Sequence, residues 1–221
     1  MIATAPATWT EIIERLPADS QITLRKITWD EYEELLDQVG EAPGLRISYD
    51  EGTVQIMTLS PEHENYAEFI SGLMRLLSAR LRINIRFFGS TTIRKHRRSK
   101  GNEPDACFYV RNAPLIGNRV QLDFAVDPPP DIVVEIDIHH DSTAKLPIYA
   151  ALGVPEVWRY DGYALTIQRL EQGQYVETEA SPSLPLLSSR LLTDYLARLH
   201  TVGEFQSLLA FDEWLQTQSQ P

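Results

Sequence analysis

The sequence predicts an α+β fold, in which a mixed β-sheet is flanked by helices and additional helices lie towards both ends of the chain. Apolar residues recur with helical period in some segments and with strand period in others, without the regular alternation of a doubly wound sheet. Residues Ile132–Ile136 form a near-continuous apolar run, which is typical of a central strand. The 221 residues, of which 43% are hydrophobic, are enough to bury a core.

The first predicted helix begins after Thr28. Thr28 and Glu31 have the spacing of a capping box, in which each side chain accepts a hydrogen bond from the other residue's backbone N–H. Apolar residues then recur at helical spacing as far as Val39, and Gly40 is a suitable stop. A hairpin is predicted next, because two short strand-like segments flank a turn signal at 50–52.

A longer helix is predicted from Ser60 onwards, since serine is a good N-cap residue and Pro61 suits the first helical position. The other predicted elements, in chain order, are strands at 46–49, 54–57, 84–88, 106–110 and 132–136, a helix at 145–152, strands at 157–160, 164–169 and 175–179, and helical segments between 191 and 215.

The sequence has neither an internal repeat nor a low-complexity linker, so one domain is predicted over 1–221. Its core is expected at about 27–178 and a C-terminal helical extension at about 184–216. Apolar residues of that extension either pack on the core or form a dimer interface. These residues are Phe205, Leu208, Leu209, Phe211 and Trp214.

The chain lacks the signatures of a secreted or membrane protein. Residues 1–9 have neither the basic start nor the apolar core of a secretory signal, and no apolar stretch approaches the roughly 18 residues that span a bilayer. The single cysteine, Cys107, lies in an apolar run and is read as a small buried hydrophobic residue. A cytoplasmic location is expected.

The net charge of −11 weighs against nucleic-acid binding, because an acidic protein lacks long-range attraction for phosphates. Either the positive charge is concentrated locally, or the chain does not bind nucleic acid. A basic run just before Asp105 is the candidate for phosphate contacts, and the alternative is an exposed flexible loop with solvated charges. The run comprises Arg94, Lys95, Arg97, Arg98 and Lys100, with His96 among them.

Two acidic positions could carry metal chemistry. Asp105 stands at the entrance of an apolar strand, where a buried carboxylate must be paired or hold a cation. Glu135 and Asp137 share one face of the strand that ends near them. If the strands of Asp105 and Glu135 are neighbours, the two carboxylates form the sparse oxygen site that Mg²⁺ prefers. Lys145 would supply a cation that orients the water. The alternative is that the strand-end acids are ordinary turn residues and that this lysine is a solvated surface charge.

Several segments together resemble a bacterial putative restriction endonuclease family of the PD-(D/E)XK nuclease superfamily, over roughly 27–178. They are Ser60-Pro61-Glu62-His63-Glu64, Pro104-Asp105, Pro130-Asp131-Ile132-Val133-Val134-Glu135, Lys145 with Tyr149, and Gly153-Val154-Pro155-Glu156-Val157-Trp158 with Asp161. The resemblance implies a restriction-endonuclease-like core and hydrolysis of phosphodiester bonds in DNA with Mg²⁺ or Mn²⁺.

By that resemblance, Asp105 and Glu135 ligate the metal, with the main-chain carbonyl of Ile136 as a third ligand. One departure matters: two residues after Glu135, where the superfamily has its lysine, this chain has Asp137. Lys145 matches the position to which the lysine has moved in this family, and a lysine stem is long enough to reach back. A homodimer is expected, since many nucleases cut both strands as two-fold dimers.

Two histidine-containing segments are weaker candidates. His63 is a candidate general base and Glu64 a candidate metal ligand, and the alternative is that both belong to the polar start of an amphipathic helix. His139 and His140 precede Asp141, but adjacent histidines on a strand end point in opposite directions, so a loop is favoured over a transition-metal site.

Three hypotheses remain open at the level of sequence. The first is a Mg²⁺-dependent DNA endonuclease, in which Asp137 adjusts the charge of the site. The second is a catalytically degenerate protein of the same fold that binds nucleic acid or protein, which the acidic net charge and the displaced lysine favour. The third is a metal-dependent hydrolase of small phosphate esters.

Overall fold

Two β-sheets form the framework of the computed structural model, which describes residues 9, 13, 15–40 and 44–218. A five-stranded antiparallel sheet has the order β1-β3-β2-β6-β5, and a six-stranded sheet has the order β11-β10-β9-β8-β7-β4. The second sheet is mixed, because β8 and β9 are parallel whereas its other pairs are antiparallel. The predicted fold class, a mixed sheet flanked by helices, is confirmed, and the antiparallel sheet adds a second layer.

The strands are β1 (Gln21–Arg25), β2 (Leu45–Asp50), β3 (Thr53–Thr58), β4 (Arg86–Phe87), β5 (Ile93–Lys95), β6 (Lys100–Asn102), β7 (Ala106–Tyr109), β8 (Ile132–Ile136), β9 (Glu156–Tyr160), β10 (Leu165–Glu171) and β11 (Gln174–Thr178). The helices are α1 (Trp29–Val39), α2 (Pro61–Leu81), α3 (Ala113–Ile116), α4 (Leu146–Leu152), α5 (Ser189–Val202) and α6 (Glu204–Gln218).

Helix α1 covers one face of the antiparallel sheet. It begins with the predicted capping box, in which the Thr28 side chain accepts from Glu31 N and the Glu31 side chain accepts from Thr28 N. The fully buried Tyr32 of α1 packs against Ile47 and Ile56, which lie on the apolar face of β2 and β3. Since strand residues alternate, the other face of this sheet carries the polar side chains.

Both faces of the mixed sheet are covered, which explains why β8 is a continuous apolar run. Ile132 and Val134 of β8 face a core formed with α2, α5 and α6. Val133 faces the opposite side, where it packs with Cys107 of β7 and with α4. Glu135 follows Val133 by two residues and therefore also lies on the α4 side.

The C-terminal pattern resolves into two helices that pack on the core. Phe211 and Leu215 of α6 are fully buried, whereas Phe205 is 69% and Leu209 43% exposed. The homodimer stays a prediction. Within the described part of the chain, no helix is both long and apolar enough to cross a membrane.

Four strands differ from the sequence-based expectation. The strand expected at 84–88 is reduced to Arg86–Phe87. β1 was not predicted, because only Ile22 and Leu24 alternate with polar residues in it. No strand was predicted in the basic run, but it forms the hairpin of β5 and β6 around a single 3₁₀ turn at His96–Arg98.

Candidate active site between the two sheets

Antiparallel pairing of β7 and β8 brings the two predicted acids together. Ala106 lies opposite Val134, and the Asp105 amide donates to the Val134 carbonyl at 3.0 Å. This register sets Asp105 next to Glu135, and the amide of Ile136 donates to Asp105 Oδ2 at 2.8 Å. The condition that the sequence left open, namely that the two strands be neighbours, is therefore met.

The Asp105 carboxylate is fully buried and is held by groups from outside the mixed sheet. Arg46 Nε in β2 donates to Oδ1 at 2.9 Å, and His63 Nε2 in the first turn of α2 lies 3.2 Å from Oδ2. Burial alone would raise the pKa of this carboxyl, but His63, Lys145 and Arg46 outweigh burial and hold the pKa below its usual value. Asp105 is therefore an ionised, desolvated carboxylate.

Arg46 links Asp105 to the start of α2. Its Nη2 donates to Glu64 Oε1 at 3.1 Å, and its Nη1 donates to the Leu45 carbonyl at 2.7 Å. The Glu64 side chain is 41% exposed and reaches the site through Arg46. Both ring nitrogens of His63 are buried and make no hydrogen bond of good geometry with the described residues. His63 thus lies beside Asp105, and its catalytic role stays a prediction.

Glu135 is equally buried, but most of its partners come from the helix after its own strand. Lys145 Nζ donates to Oε2 at 2.7 Å, and the Tyr149 hydroxyl donates to Oε1. Asn102 Nδ2, from β6 of the antiparallel sheet, also donates to Oε1 at 3.2 Å. Burial raises the pKa of Glu135 and outweighs the opposing charge of Lys145.

The position of Lys145 follows from the connection after β8. Lys145 ends a 3₁₀ turn that leads into α4, and Tyr149 lies four residues later on the same helical face. Both side chains therefore reach back to Glu135. Burial would lower the pKa of Lys145, but the charges of Glu135 and Asp105 raise it above the usual value. Lys145 is a cation within hydrogen-bond distance of a buried acid.

Asp137 occupies a separate position at the edge of the site. It accepts from Arg159 Nε at 2.8 Å and from the Ser142 hydroxyl at 3.1 Å. Burial raises the pKa of Asp137 against the charge of Arg159. The acid is therefore held by β9 and the loop after β8, and the structure gives it no contact with Asp105 or Glu135.

A cleft leads from solvent to Lys145 and consists of two small adjoining hollows. Gln21, Gln55, Met57 and Lys145 line both of them. The deeper parts differ: the first hollow reaches residues of β2 and β6, and the second reaches Glu135 and the loop that follows β8. The cleft thus runs between the polar face of the antiparallel sheet and the acidic end of β8.

Three of the five predicted phosphate-binding cations have partners within the chain. Arg94 forms an ion pair with Glu33 at 3.2 Å, Lys95 Nζ donates to the Leu152 carbonyl at 3.0 Å, and Lys100 binds Asp50 and Glu51. Arg97 and Arg98 are exposed at the tip of the hairpin and have no ion-pair partner in the described segments. Phosphate contacts by this run remain a prediction that centres on these two arginines.

The two adjacent histidines serve a connecting role. His140 Nε2 lies 2.8 Å from the Asp19 carbonyl, and His139 Nε2 lies 3.6 Å from the Asp19 carboxylate. These contacts tie the loop after β8 to the segment before β1, as the loop interpretation expected. In the described portion of the chain, no group of three or more His, Cys, Asp or Glu side chains is placed to hold a metal ion.

The donors present nevertheless fit an oxygen-coordinated cation. Mg²⁺ commonly uses one or two carboxylates and completes its shell with water and substrate phosphate, so a third acid is not needed. Asp105 and Glu135 supply the two carboxylates. Asn102 Oδ1, in the side chain that donates to Glu135, is buried without a hydrogen-bond partner among the described residues. An unsatisfied buried oxygen beside two acids is what such a cation would satisfy.

Sequence reasoning missed four groups around the acids. Arg46 and Asn102 had no local signal, because their contacts join strands of different sheets. Tyr149 was noted only within the resemblance, although its spacing from Lys145 indicates a shared helical face. Glu103, two residues before Asp105, has a pKa that burial raises to about 7 against the charge of Arg46.

Comparison with known proteins gives a family and a structural likeness. The family model Uma2, described as "Putative restriction endonuclease", matches residues 29–199. A crystal structure of a putative nuclease belonging to DUF820 from Anabaena variabilis superposes with a TM-score of 0.47 at 15% sequence identity, covering 86% of this chain and 99% of that one. None of the curated proteins gives a significant match.

Proposed function

Because the chain belongs to Uma2, the putative restriction endonuclease family, we propose that it is a Mg²⁺-dependent endonuclease that hydrolyses phosphodiester bonds in DNA. The observation that carries this proposal is the pair of buried carboxylates on neighbouring strands, Asp105 and Glu135, with Lys145 Nζ 2.7 Å from Glu135. Acidic oxygens with a cation beside them are the groups that phosphodiester hydrolysis requires.

Each residue has a distinct task in this proposal. Bound by Asp105 and Glu135, Mg²⁺ or Mn²⁺ would polarise the scissile phosphate and lower the pKa of the attacking water. Lys145 orients that water and offsets negative charge that develops on the phosphate. Tyr149 fixes the Glu135 carboxylate, and Arg46 fixes that of Asp105, so that both acids are preorganised.

Other residues act around this centre. His63 Nε2 lies 3.2 Å from Asp105 Oδ2 on the α2 side, and His63 is a candidate for accepting the proton of the water. Asp137 is proposed to adjust the charge of the site through its ion pair with Arg159. Arg97 and Arg98 are proposed to contact phosphates away from the scissile one.

Two alternatives give different outcomes. A degenerate protein of the same fold is favoured by the net charge of −11 and by the ion pair that already neutralises Lys145 and Glu135. It would bind nucleic acid without cutting it. A hydrolase of small phosphate esters would turn over a model diester at a rate that does not depend on nucleic-acid length.

The test compares the natural chain with Asp105→Asn on supercoiled plasmid and on labelled oligonucleotides, with and without Mg²⁺. The natural chain is expected to cut only with the metal, and the variant to lose roughly 10³-fold or more, because an uncharged amide binds Mg²⁺ poorly. Asp212→Asn is the matched control, since Asp212 pairs with Arg80 on the outer helices. Equal cleavage by natural chain and Asp105→Asn would refute the proposed site.

A further inference from the structure

On the polar face of the antiparallel sheet, the residues of β6 and β2 beside the site are buried, whereas those of β3 and β1 are more exposed to solvent. One row of residues crosses the sheet in register, from Asn102 through Ser48 and Gln55 to Thr23. Asn102 is 0% and Ser48 5% exposed, Gln55 is half-buried, and Thr23 is exposed. Solvent therefore reaches this side of the site over β3 and β1.

Two glutamine amides stand in that open part. Gln21 of β1 lies opposite Met57 of β3, and Gln55 lies two residues before Met57, so all three side chains share the cleft face. Both glutamines line the same hollows as Lys145. Neither side-chain amide has a hydrogen-bond partner among residues 9, 13, 15–40 and 44–218, although each can both donate and accept hydrogen bonds.

Arg25 continues the row of Gln21 along β1. Gln21, Thr23 and Arg25 alternate onto one exposed face, while Ile22 and Leu24 pack towards α1. At the usual rise, Arg25 lies about 13 Å from Gln21 along the strand. The arginine is exposed and has no ion-pair partner in the described residues. The open face thus combines neutral amides near Lys145 with a free cation farther out.

We propose that this face of β1 and β3 is the surface on which a DNA strand enters the site, with Gln21 and Gln55 contacting the nucleotides beside the scissile phosphate and Arg25 a more distant phosphate. The proposal rests on the proposed nuclease function and specifies its substrate. Side-chain amides can hydrogen-bond to phosphate, sugar and base edges alike. These contacts do not depend on a net positive charge, which this chain lacks. A distance of about 13 Å exceeds what a small phosphate ester covers, whereas adjoining nucleotides of one strand can span it.

The experiment measures binding of a fluorescein-labelled 20-nucleotide DNA, as single strand and as duplex, with Ca²⁺ in place of Mg²⁺. The variants are Gln21→Ala/Gln55→Ala and Arg25→Ala, and Gln174→Ala is the control because it removes an exposed amide at the far edge of the mixed sheet. The double variant is expected to raise Kd about 10-fold, from the loss of about two hydrogen bonds. Arg25→Ala is expected to lower the slope of log Kd against log salt by about 1.

The outcomes separate this inference from the proposed function. If the natural chain and all variants bind DNA alike, and plasmid cleavage is intact in each, the surface is wrong while the nuclease stands. If the natural chain neither binds nor cuts DNA, the proposed function fails and the surface fails with it. Loss of affinity in Gln174→Ala equal to that in the double variant would also overturn the proposal.

Discussion

The mixed sheet and the antiparallel sheet contribute to the site in different ways. Glu135 lies on β8 of the mixed sheet and Asp105 directly precedes the paired strand β7, and each belongs to a short acidic motif. Arg46 and Asn102 come from the antiparallel sheet and bind these acids across sequence separations of 59 and 33 residues. A motif thus identifies the reactive groups, whereas some of the groups that make their burial tolerable come from another layer of the fold.

This difference has an energetic consequence. Two desolvated carboxylates side by side are costly, and the cost falls only if each is paired and hydrogen-bonded. Asp105 obtains its pairing from Arg46, and Glu135 obtains part of its hydrogen bonding from Asn102. The two sheets are therefore expected to be thermodynamically coupled through the site. Substitutions in the antiparallel sheet should change the energetic cost of burying the two carboxylates.

The largest effect on stability is expected from Arg46→Met. Removing the guanidinium leaves the buried Asp105 carboxylate without the 2.9 Å hydrogen bond from Arg46 Nε, which should lower the free energy of unfolding by about 3–5 kcal/mol. Urea denaturation of the metal-free protein measures this. Arg97→Met, which changes an exposed arginine of the hairpin tip, should change it by less than about 0.5 kcal/mol.

A second variant determines whether the coupling is specific. In Arg46→Met/Asp105→Asn, the unpaired charge is gone, so a large part of the lost stability should return. If the two substitutions are additive instead, Arg46 stabilises the fold independently of Asp105. The contrast between the two sheets would then have no energetic basis.

An intermediate effect is expected for Glu103, on the connection between the two sheets. Its pKa is raised from 4.5 to about 7, so the folded protein holds a proton there that the unfolded chain releases. Stability should therefore fall as pH rises from about 4.5 to about 7, by up to about 3 kcal/mol, and stay level above. Glu103→Gln should remove this fall. Parallel pH profiles of the variant and the natural chain would show that Glu103 is not the titrating group.

The smallest effect is expected from Asn102→Ala. This change removes two hydrogen bonds from Asn102 Nδ2, one to Glu135 Oε1 in the other sheet and one to the Tyr149 hydroxyl, and should cost about 1–2 kcal/mol. A double-mutant cycle with Glu135→Gln isolates the coupling, and Asn84→Ala, at an exposed position, is the matched control. A coupling energy near zero would mean that Asn102 stabilises the fold without acting on Glu135.

The elements that could be predicted from sequence are those with local signals. The capping box at Thr28, the N-cap at Ser60 and the run of β8 each depend on a few adjacent residues, and the structure has all three. The short strand β1 and the hairpin of the basic run lack such signals. Their strand conformation comes from pairing with β3 and with β2, which lie far away in sequence.

The same reasoning applies to the candidate site. Asp105, Glu135 and Lys145 were predicted to form one site, and the structure places them together. The turn after β8 directs the Lys145 side chain back to Glu135 on that strand. Arg46 resembles any other strand arginine in the sequence, and its burial depends on the packing of two sheets. Long-range contacts of this kind leave no periodic pattern in a single sequence.

The most direct measurement is calorimetric titration of Mn²⁺ into the natural chain and into Glu135→Ala at low salt. The account predicts that the natural chain binds the metal and that the variant loses this binding, since Glu135 supplies one of only two carboxylates. Glu179→Ala, at an exposed position after β11, should bind as the natural chain does. Equal binding by the natural chain and Glu135→Ala would contradict the proposed metal site.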